Sequence, residues 1–206
     1  MPRILHIISS PREADSQSLK LSSAYVRACQ AADPELVVDT IDLWQDNLPE
    51  FDGDKAAAKM TFFGVGEMDP KKQSAWDQVV RITQGFIDAD HYVFSVPMWN
   101  GSIPYKLKQY IDIITQPGLL FGFDPDAGYS GLLKDKKASV FYTAGVFAPG
   151  ADVKYGRDFQ SSYLDWWLNM VGVSNVETVR FQPSLVTADP AAGLKTAIEE
   201  ARALAI

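Results

Sequence analysis

Ile4-Leu5-His6-Ile7-Ile8-Ser9-Ser10-Pro11-Arg12-Glu13-Ala14-Asp15-Ser16-Gln17-Ser18 is the stretch on which the fold turns. Ile4–Ser9 reads as a short buried strand that begins almost at the first residue. A polar turn follows, rich in hydroxyls. Leu21, Ala24, Tyr25, Ala28, Cys29 and Ala32 then recur at helical spacing, so one helix face is apolar. Strand, polar turn and helix form the opening of an alternating α/β chain.

The rest of the chain repeats that alternation. Leu36–Ile41 is a second strand, rich in valine. Trp76, Val79, Val80, Thr83 and Ile87 mark a helix, and His91–Val96 is the third strand. Pro104 suits the first position of the next helix, whose buried stripe is Leu107, Tyr110, Ile111 and Ile114. Ala138–Thr143 and Val176–Phe181 are the fourth and fifth strands. Phe159, Tyr163, Trp166, Trp167 and Met170 read as one helix, and Leu194, Ala197, Ile198, Ala201 and Leu204 as the last. Residues 43–70 carry scattered Gly, Pro and Asp and read as an irregular insertion. Residues 115–135 read as a long loop. No internal repeat or low-complexity segment interrupts the pattern.

Strands and helices alternating at this length imply a parallel sheet covered on both faces. Five strands fit the order 2-1-3-4-5 or a Rossmann fragment. Both place ligands at the carboxyl ends of the strands, near the switch in strand order. The turns at 9–18, 97–104 and 143–150 therefore meet at one site.

Each turn has a chemistry. Ser10, Ser16, Gln17 and Ser18 offer hydroxyls and amides at a helix start, where the helix dipole and unpaired N–H groups attract phosphate. Asp15 or Ser16 as an ordinary N-cap is the plainer reading. No G-x-G-x-x-G or G-x-x-x-x-G-K-[ST] pattern occurs, which disfavours a dinucleotide fold or a P-loop. In Pro97-Met98-Trp99-Asn100-Gly101-Ser102-Ile103-Pro104, Met98 and Trp99 can press on one face of an aromatic ring. Asn100 can bond ring heteroatoms, and Gly101 lets the backbone come close. The alternative is a plain turn with a surface tryptophan. Thr143-Ala144-Gly145-Val146 follows a buried strand and is placed to touch the edge of the same ring. A phosphate cradle beside a flat platform is what a flavin nucleotide requires.

Bulk properties remove other classes. The 206 residues, 47% of them hydrophobic, suffice for one domain with a sizeable core. A formal net charge of −7 argues against a nucleic-acid partner. No apolar run approaches a membrane span, and the N-terminus makes a poor signal peptide, so the cytoplasm is the expected location. Cys29 is the one cysteine, so no intrachain disulfide forms. It sits on a buried helix stripe, away from the electropositive setting that a catalytic thiol needs. It also lies outside any C-x5-R loop, which disfavours a low-molecular-weight phosphatase. His6 reads as a core residue and His91 as structural or exposed. Two histidines without a Cys/His cluster make a zinc site unsupported, and no G-x-S-x-G elbow is present. The aromatic helix at 159–170 fits either a core or a subunit interface, where large aromatics are enriched.

Taken together these segments resemble the FMN-dependent NADH azoreductases, also described as FMN-dependent NADH:quinone oxidoreductases. The resemblance covers most of the chain, in order. The serines of the first turn are similar to that family's phosphate-binding segment. Residues 97–104 resemble its Pro-Met-Tyr-Asn-Phe-x-Ile-Pro, with Trp99 for Tyr and Gly101 for Phe. Leu107-Lys108-Gln109-Tyr110-Ile111-Asp112 resembles its Leu-Lys-x-Tyr-Phe-Asp. Pro117-Gly118-Leu119-Leu120-Phe121 and Gly131-Leu132-Leu133, followed by Lys136-Lys137, also fit. The third turn departs: the family reads like Ser-Arg-Gly-Gly with a His shortly after, whereas Thr143-Ala144-Gly145-Val146-Phe147-Ala148 has neither the Arg nor the His.

The resemblance implies a single flavodoxin-like domain, a three-layer sandwich in the order 2-1-3-4-5. It implies FMN held by Ser10, Ser16, Gln17, Ser18, Met98, Trp99, Asn100, Gly101, Thr143, Ala144, Gly145 and Val146. It also implies NADH or NADPH as donor, a quinone or azo compound as acceptor, two-step turnover in one site, and a homodimer with the flavin near its interface. Phe121 is expected to wall the substrate pocket. The cofactor carries the chemistry, so no protein nucleophile is expected. A flavodoxin-type electron carrier and a flavin-free interaction protein on the same scaffold are the rival readings.

Overall fold

The computed structural model describes residues 2–205. The elements run β1 (Arg3–Ile8), α1 (Gln17–Ala32), β2 (Val37–Asp42), α2 (Gly53–Thr61), α3 (Pro70–Ile87), β3 (His91–Pro97), α4 (Tyr105–Ile114), β4 (Phe121–Asp124), β5 (Gly128–Gly131), β6 (Lys137–Thr143), α5 (Ser161–Val171), β7 (Asn175–Phe181) and α6 (Pro190–Ala203). Five strands form one parallel sheet in the order β2-β1-β3-β6-β7. β4 and β5 form a separate two-stranded antiparallel sheet. With that hairpin set aside the order is 2-1-3-4-5, and the Rossmann alternative falls.

The two-residue period of the strands sorts their side chains to opposite faces. Leu5, Ile7, Tyr92, Phe94, Val96, Val140 and Tyr142 point one way. They pack with Phe86 of α3, Leu107 and Ile111 of α4, and Leu164 and Trp167 of α5. Ile4, Val93, Phe141, Val179 and Phe181 point the other way, onto Leu21 and Tyr25 of α1 and Ala197 and Ala201 of α6. Helices thus cover both faces.

Both histidines are buried. His6 Nε2 lies 2.8 Å from Ser22 Oγ, and His91 Nε2 lies 3.0 Å from Ser139 Oγ. Burial holds His6 down to about 4. Burial, aided by the charge of Lys137, holds His91 down to about 3. Cys29 is only half-buried, packed on the α1/α6 side, and burial pushes its thiol up. Among the described residues no helix is long and apolar enough to cross a membrane.

Four segments differ from expectation. Residues 43–70 are not irregular throughout, because they contain α2. Asp52 caps it, its carboxylate accepting the amides of Asp54 and Lys55. Ala56-Ala57-Ala58 gives helix propensity with little apolar contrast, so the sequence pattern is faint. Ala58 nonetheless packs against Trp76 and Val79. α3 starts at Pro70, six residues before Trp76, where the Asp69 carboxylate accepts the Lys72 amide at 2.9 Å. The 115–135 loop contains the β4–β5 hairpin, and Phe159 precedes α5 rather than lying on it.

The hairpin is held by a backbone crossing that only glycine allows. A Cβ at Gly131 would lie 2.2 Å from the Gly172 nitrogen, and one at Gly172 would lie 2.4 Å from the Leu133 carbonyl oxygen. Gly172 ends α5 in the left-handed conformation.

Candidate functional site

Parallel strands in register deliver their turns to one rim. Ile8 pairs with Ser95, and Pro97 with Thr143. The turns after β1, β3 and β6 therefore leave side by side, and they are joined. The Ser9 hydroxyl donates to the Ser95 carbonyl at 2.5 Å, and the Ser9 amide donates to Ser95 Oγ at 3.3 Å. The Met98 amide donates to the Thr143 carbonyl at 2.7 Å.

The first turn is built as a helix start. Ser16 is the N-cap of α1: its hydroxyl accepts the Leu19 amide at 3.2 Å, and its carbonyl accepts the Lys20 amide at 3.0 Å. An α-helix leaves its first four N–H groups without partners inside the helix. The cap satisfies the later ones, so the Gln17 and Ser18 amides remain at the positive end of a 16-residue helix. Ser16 Oγ lies 3.2 Å from Ser18 Oγ, and Ser10 Oγ accepts the Arg12 amide at 3.4 Å. Ser10, Ser16 and Ser18 are buried, Gln17 is half-buried, and Arg12 is exposed. The capping role of Ser16 leaves the first amides of the helix free to meet an anion. This donor set fits a phosphate monoester.

The second turn is a tight reversal. Trp99 and Ser102 exchange backbone bonds of 2.8 and 2.9 Å, and φ is 50° at Asn100 and 83° at Gly101. Asn-Gly at two consecutive positive-φ positions is the preference of a type I′ turn. Beside it opens a cavity of about 820 Å³, lined by Trp99, Asn100, Ile103, Tyr105, Phe159 and Tyr163 among others. That is within the range of cofactor and small-molecule sites. The missing side chain at Gly101 does not leave open space. A Cβ there would meet the Arg157 carbonyl oxygen at 3.4 Å and the Phe159 ring at 3.7 Å. The Phe159 amide donates to the Gly101 carbonyl at 2.9 Å, which docks the 157–159 segment on the turn. Lys108 and Asp112 pair at 2.7 Å on the cavity wall.

The third turn is backed by a segment with no sequence signal for it. The Ala144 carbonyl accepts the Ser184 amide at 2.7 Å, and the Gly145 carbonyl accepts the Leu185 amide at 2.9 Å. A Cβ at Gly145 would lie 3.0 Å from Leu185 Cδ1. Thr143 and Ala144 are buried and Val146 is exposed. Neither this turn nor the 10–18 turn lines the large cavity. Phe121 lies in a neighbouring cavity of about 600 Å³ with Lys59 and Tyr129. The two cavities share Phe51, Asp112 and Trp166.

Residues 2–205 match the family defined by the flavodoxin-like fold. A protein of Ruegeria pomeroyi named FMN-dependent NADH:quinone oxidoreductase is 60% identical over 198 residues, 96% of this chain and 97% of its own. The chain belongs to the FMN-dependent NADH:quinone oxidoreductase family. Solved structures agree at lower identity. An azoreductase from Bacillus anthracis strain Sterne superposes with a TM-score of 0.89 at 25% identity, covering 100% of this chain and 99% of that one. An FMN-dependent NADH-azoreductase from Bacillus anthracis strain Ames Ancestor, in complex with FMN, gives 0.88 at 26% identity over 100% and 98%.

Sequence reasoning missed several aromatic residues that surround this oxidoreductase-family rim. Trp44 follows β2 and meets Trp99 and Tyr105 at ring-centroid distances of 5.4 and 5.3 Å. Phe51 joins the cavity wall from the segment read as an insertion. The available signal was the topology: a strand beside β1 ends at the same rim, so the residues just after β2 belong to it.

Proposed function

We propose that the chain is an FMN-dependent oxidoreductase that passes electrons from NADH or NADPH to quinones or azo compounds. One observation carries this reading: the turns after β1, β3 and β6 are hydrogen-bonded into a single rim, with helix-start amides at one end and the Trp99 turn and its cavity at the other. FMN, when bound, supplies the two-electron chemistry. The chain's own residues bind and orient it. Ser10, Ser16, Gln17 and Ser18 hold the phosphate and the ribityl chain. Met98, Trp99, Asn100 and Gly101 hold the ring, and Thr143, Ala144, Gly145 and Val146 approach its edge. The large cavity beside Trp99 receives donor and acceptor in turn, and favours an enzyme over an electron carrier. Phe121 bounds the adjoining space.

The same reading makes the chain one flavodoxin-like three-layer domain that works as a homodimer in the cytoplasm. Tyr105, Tyr129, Phe159 and Trp166 line the two cavities and are each 57–64% exposed, and Phe123, against Tyr129, is 57% exposed. Aromatic surface of that kind is enriched where subunits meet.

The test is flavin binding. Titration with FMN should give a yellow one-to-one complex. Trp99→Ala should weaken it about tenfold, the loss of one well-packed aromatic contact. A protein that stays colourless after FMN loading and desalting contradicts the assignment, and an unchanged Trp99→Ala complex removes Trp99 from the platform.

A further inference from the structure

The turn after β2 is a rigid mount for one side chain. The Asp42 carboxylate accepts the Trp44 amide at 3.0 Å, and the Asp46 carboxylate accepts the Asp42 amide at 2.9 Å. The Asp46 amide donates to the Asp42 carbonyl at 2.7 Å. The Leu43 amide donates to the Ile8 carbonyl at 3.0 Å, which pins the turn to the last residue of β1. Gln45 Nε2 reaches the Glu13 carboxylate across the first turn at 3.3 Å.

So mounted, Trp44 makes two chemically different contacts. Its indole N–H donates to the Ser9 carbonyl at 3.0 Å, at the entrance of the serine-rich turn. Its ring lies against Trp99 (5.4 Å, 47° between planes) and edge-on to Tyr105 (5.3 Å, 80°). Ser9 is fully buried with the indole in place.

We infer that Trp44 is a positioning residue for the flavin: its N–H fixes the phosphate-binding turn and its ring fixes the Trp99 platform, so one side chain sets both halves of the site. The inference rests on the flavin reading proposed above. The two contacts separate by substitution. Trp44→Phe keeps an aromatic ring and removes the N–H. Trp44→Ala removes both. The ligands separate the phosphate contacts, because riboflavin carries the ring system and the ribityl chain without the phosphate.

The experiment titrates the full-length protein and each variant with FMN and with riboflavin, following quenching of flavin fluorescence. The folded state of each is checked by circular dichroism. Trp44→Phe should weaken FMN about tenfold, the loss of one hydrogen bond to a buried group, and weaken riboflavin, which keeps the ribityl chain but lacks the phosphate, by clearly less. Trp44→Ala should weaken both ligands. If Trp44→Ala does not fold, Trp44→Leu replaces it with the same expectation. A Trp44→Phe protein that binds FMN as the wild type does overturns the inference. So does one that weakens FMN and riboflavin equally, since that is general loosening. A wild-type protein that binds neither ligand overturns the flavin reading itself, and is distinct from both.

Discussion

Gln160 is the buried link between the rim and α5, and its replacement is the sharpest structural test. The residue is 0% exposed. Its Nε2 donates to the Val96 carbonyl at 2.9 Å, just ahead of the Pro97–Ser102 turn. Its Oε1 accepts from Gln182 Nε2 at 2.8 Å, beyond the end of β7. Gln160→Leu keeps the size and removes both bonds. The Val96 carbonyl, on a central strand paired with β6, then loses its side-chain donor, at about 0.5–1.5 kcal/mol. The Gln182 amide is half-exposed and recovers part of its loss from water, so about 1 kcal/mol is assigned to it. The sum is about 1.5–2.5 kcal/mol. For a chain of this length each kcal/mol shifts Tm by about 2–4 °C, so the variant should melt about 3–10 °C lower. The assay is a thermal melt followed by far-UV circular dichroism, at matched flavin content because a bound ligand raises Tm by itself. A Gln160→Leu protein that melts with the wild type refutes the claim that this amide ties the rim together.

Other expectations follow from the same geometry. Gly131→Ala drives a Cβ into the Gly172 backbone at 2.2 Å. It should cost more than about 3 kcal/mol. Gly85→Ala, on an exposed helical site with nothing within 4 Å, should stabilise by about 0.5–1 kcal/mol. Equal urea midpoints for the two variants would contradict the crossing. Burial holds His6 down to about 4 and His91 down to about 3, so between those values and about 6.5 the unfolded chain binds more protons than the folded one. Stability from these histidines is therefore complete above about pH 6.5. It falls on acidification by up to about 1.4 kcal/mol per pH unit for each. Urea melts at pH 7 and pH 5 should show this, and His6→Gln with His91→Gln should flatten the slope; an unaltered slope rules the histidines out. Trp166→Asp should turn a sedimenting dimer into a monomer, and a wild-type protein that sediments as a monomer removes the dimer proposal.

The alternating pattern made the main sheet legible because each strand's apolar residues face two covered sides, as in Tyr92-Val93-Phe94. The three turns of the site were legible because parallel strands fix which ends gather. α2 was hidden because alanines give helix propensity without an apolar stripe. The β4–β5 hairpin was hidden because Phe121–Gly131 is too short and too polar to alternate clearly. It is held by Gly131 meeting Gly172, a contact between residues 41 positions apart that no local window contains. Trp44 was invisible for the same reason: its partners Ser9 and Trp99 come from two other turns. Ser16 was ambiguous between cap and anion site because a helix start can serve both, and the structure shows the cap.

The central claim is that this rim holds a flavin which exchanges electrons with a nicotinamide donor and a small acceptor without a partner protein. The direct measurement is the visible spectrum of the FMN-loaded protein under anaerobic NADH, followed by addition of benzoquinone. The account predicts that the flavin bands bleach with NADH alone and return with the quinone. Bands that persist under both NADH and NADPH, with FMN still bound, would contradict it.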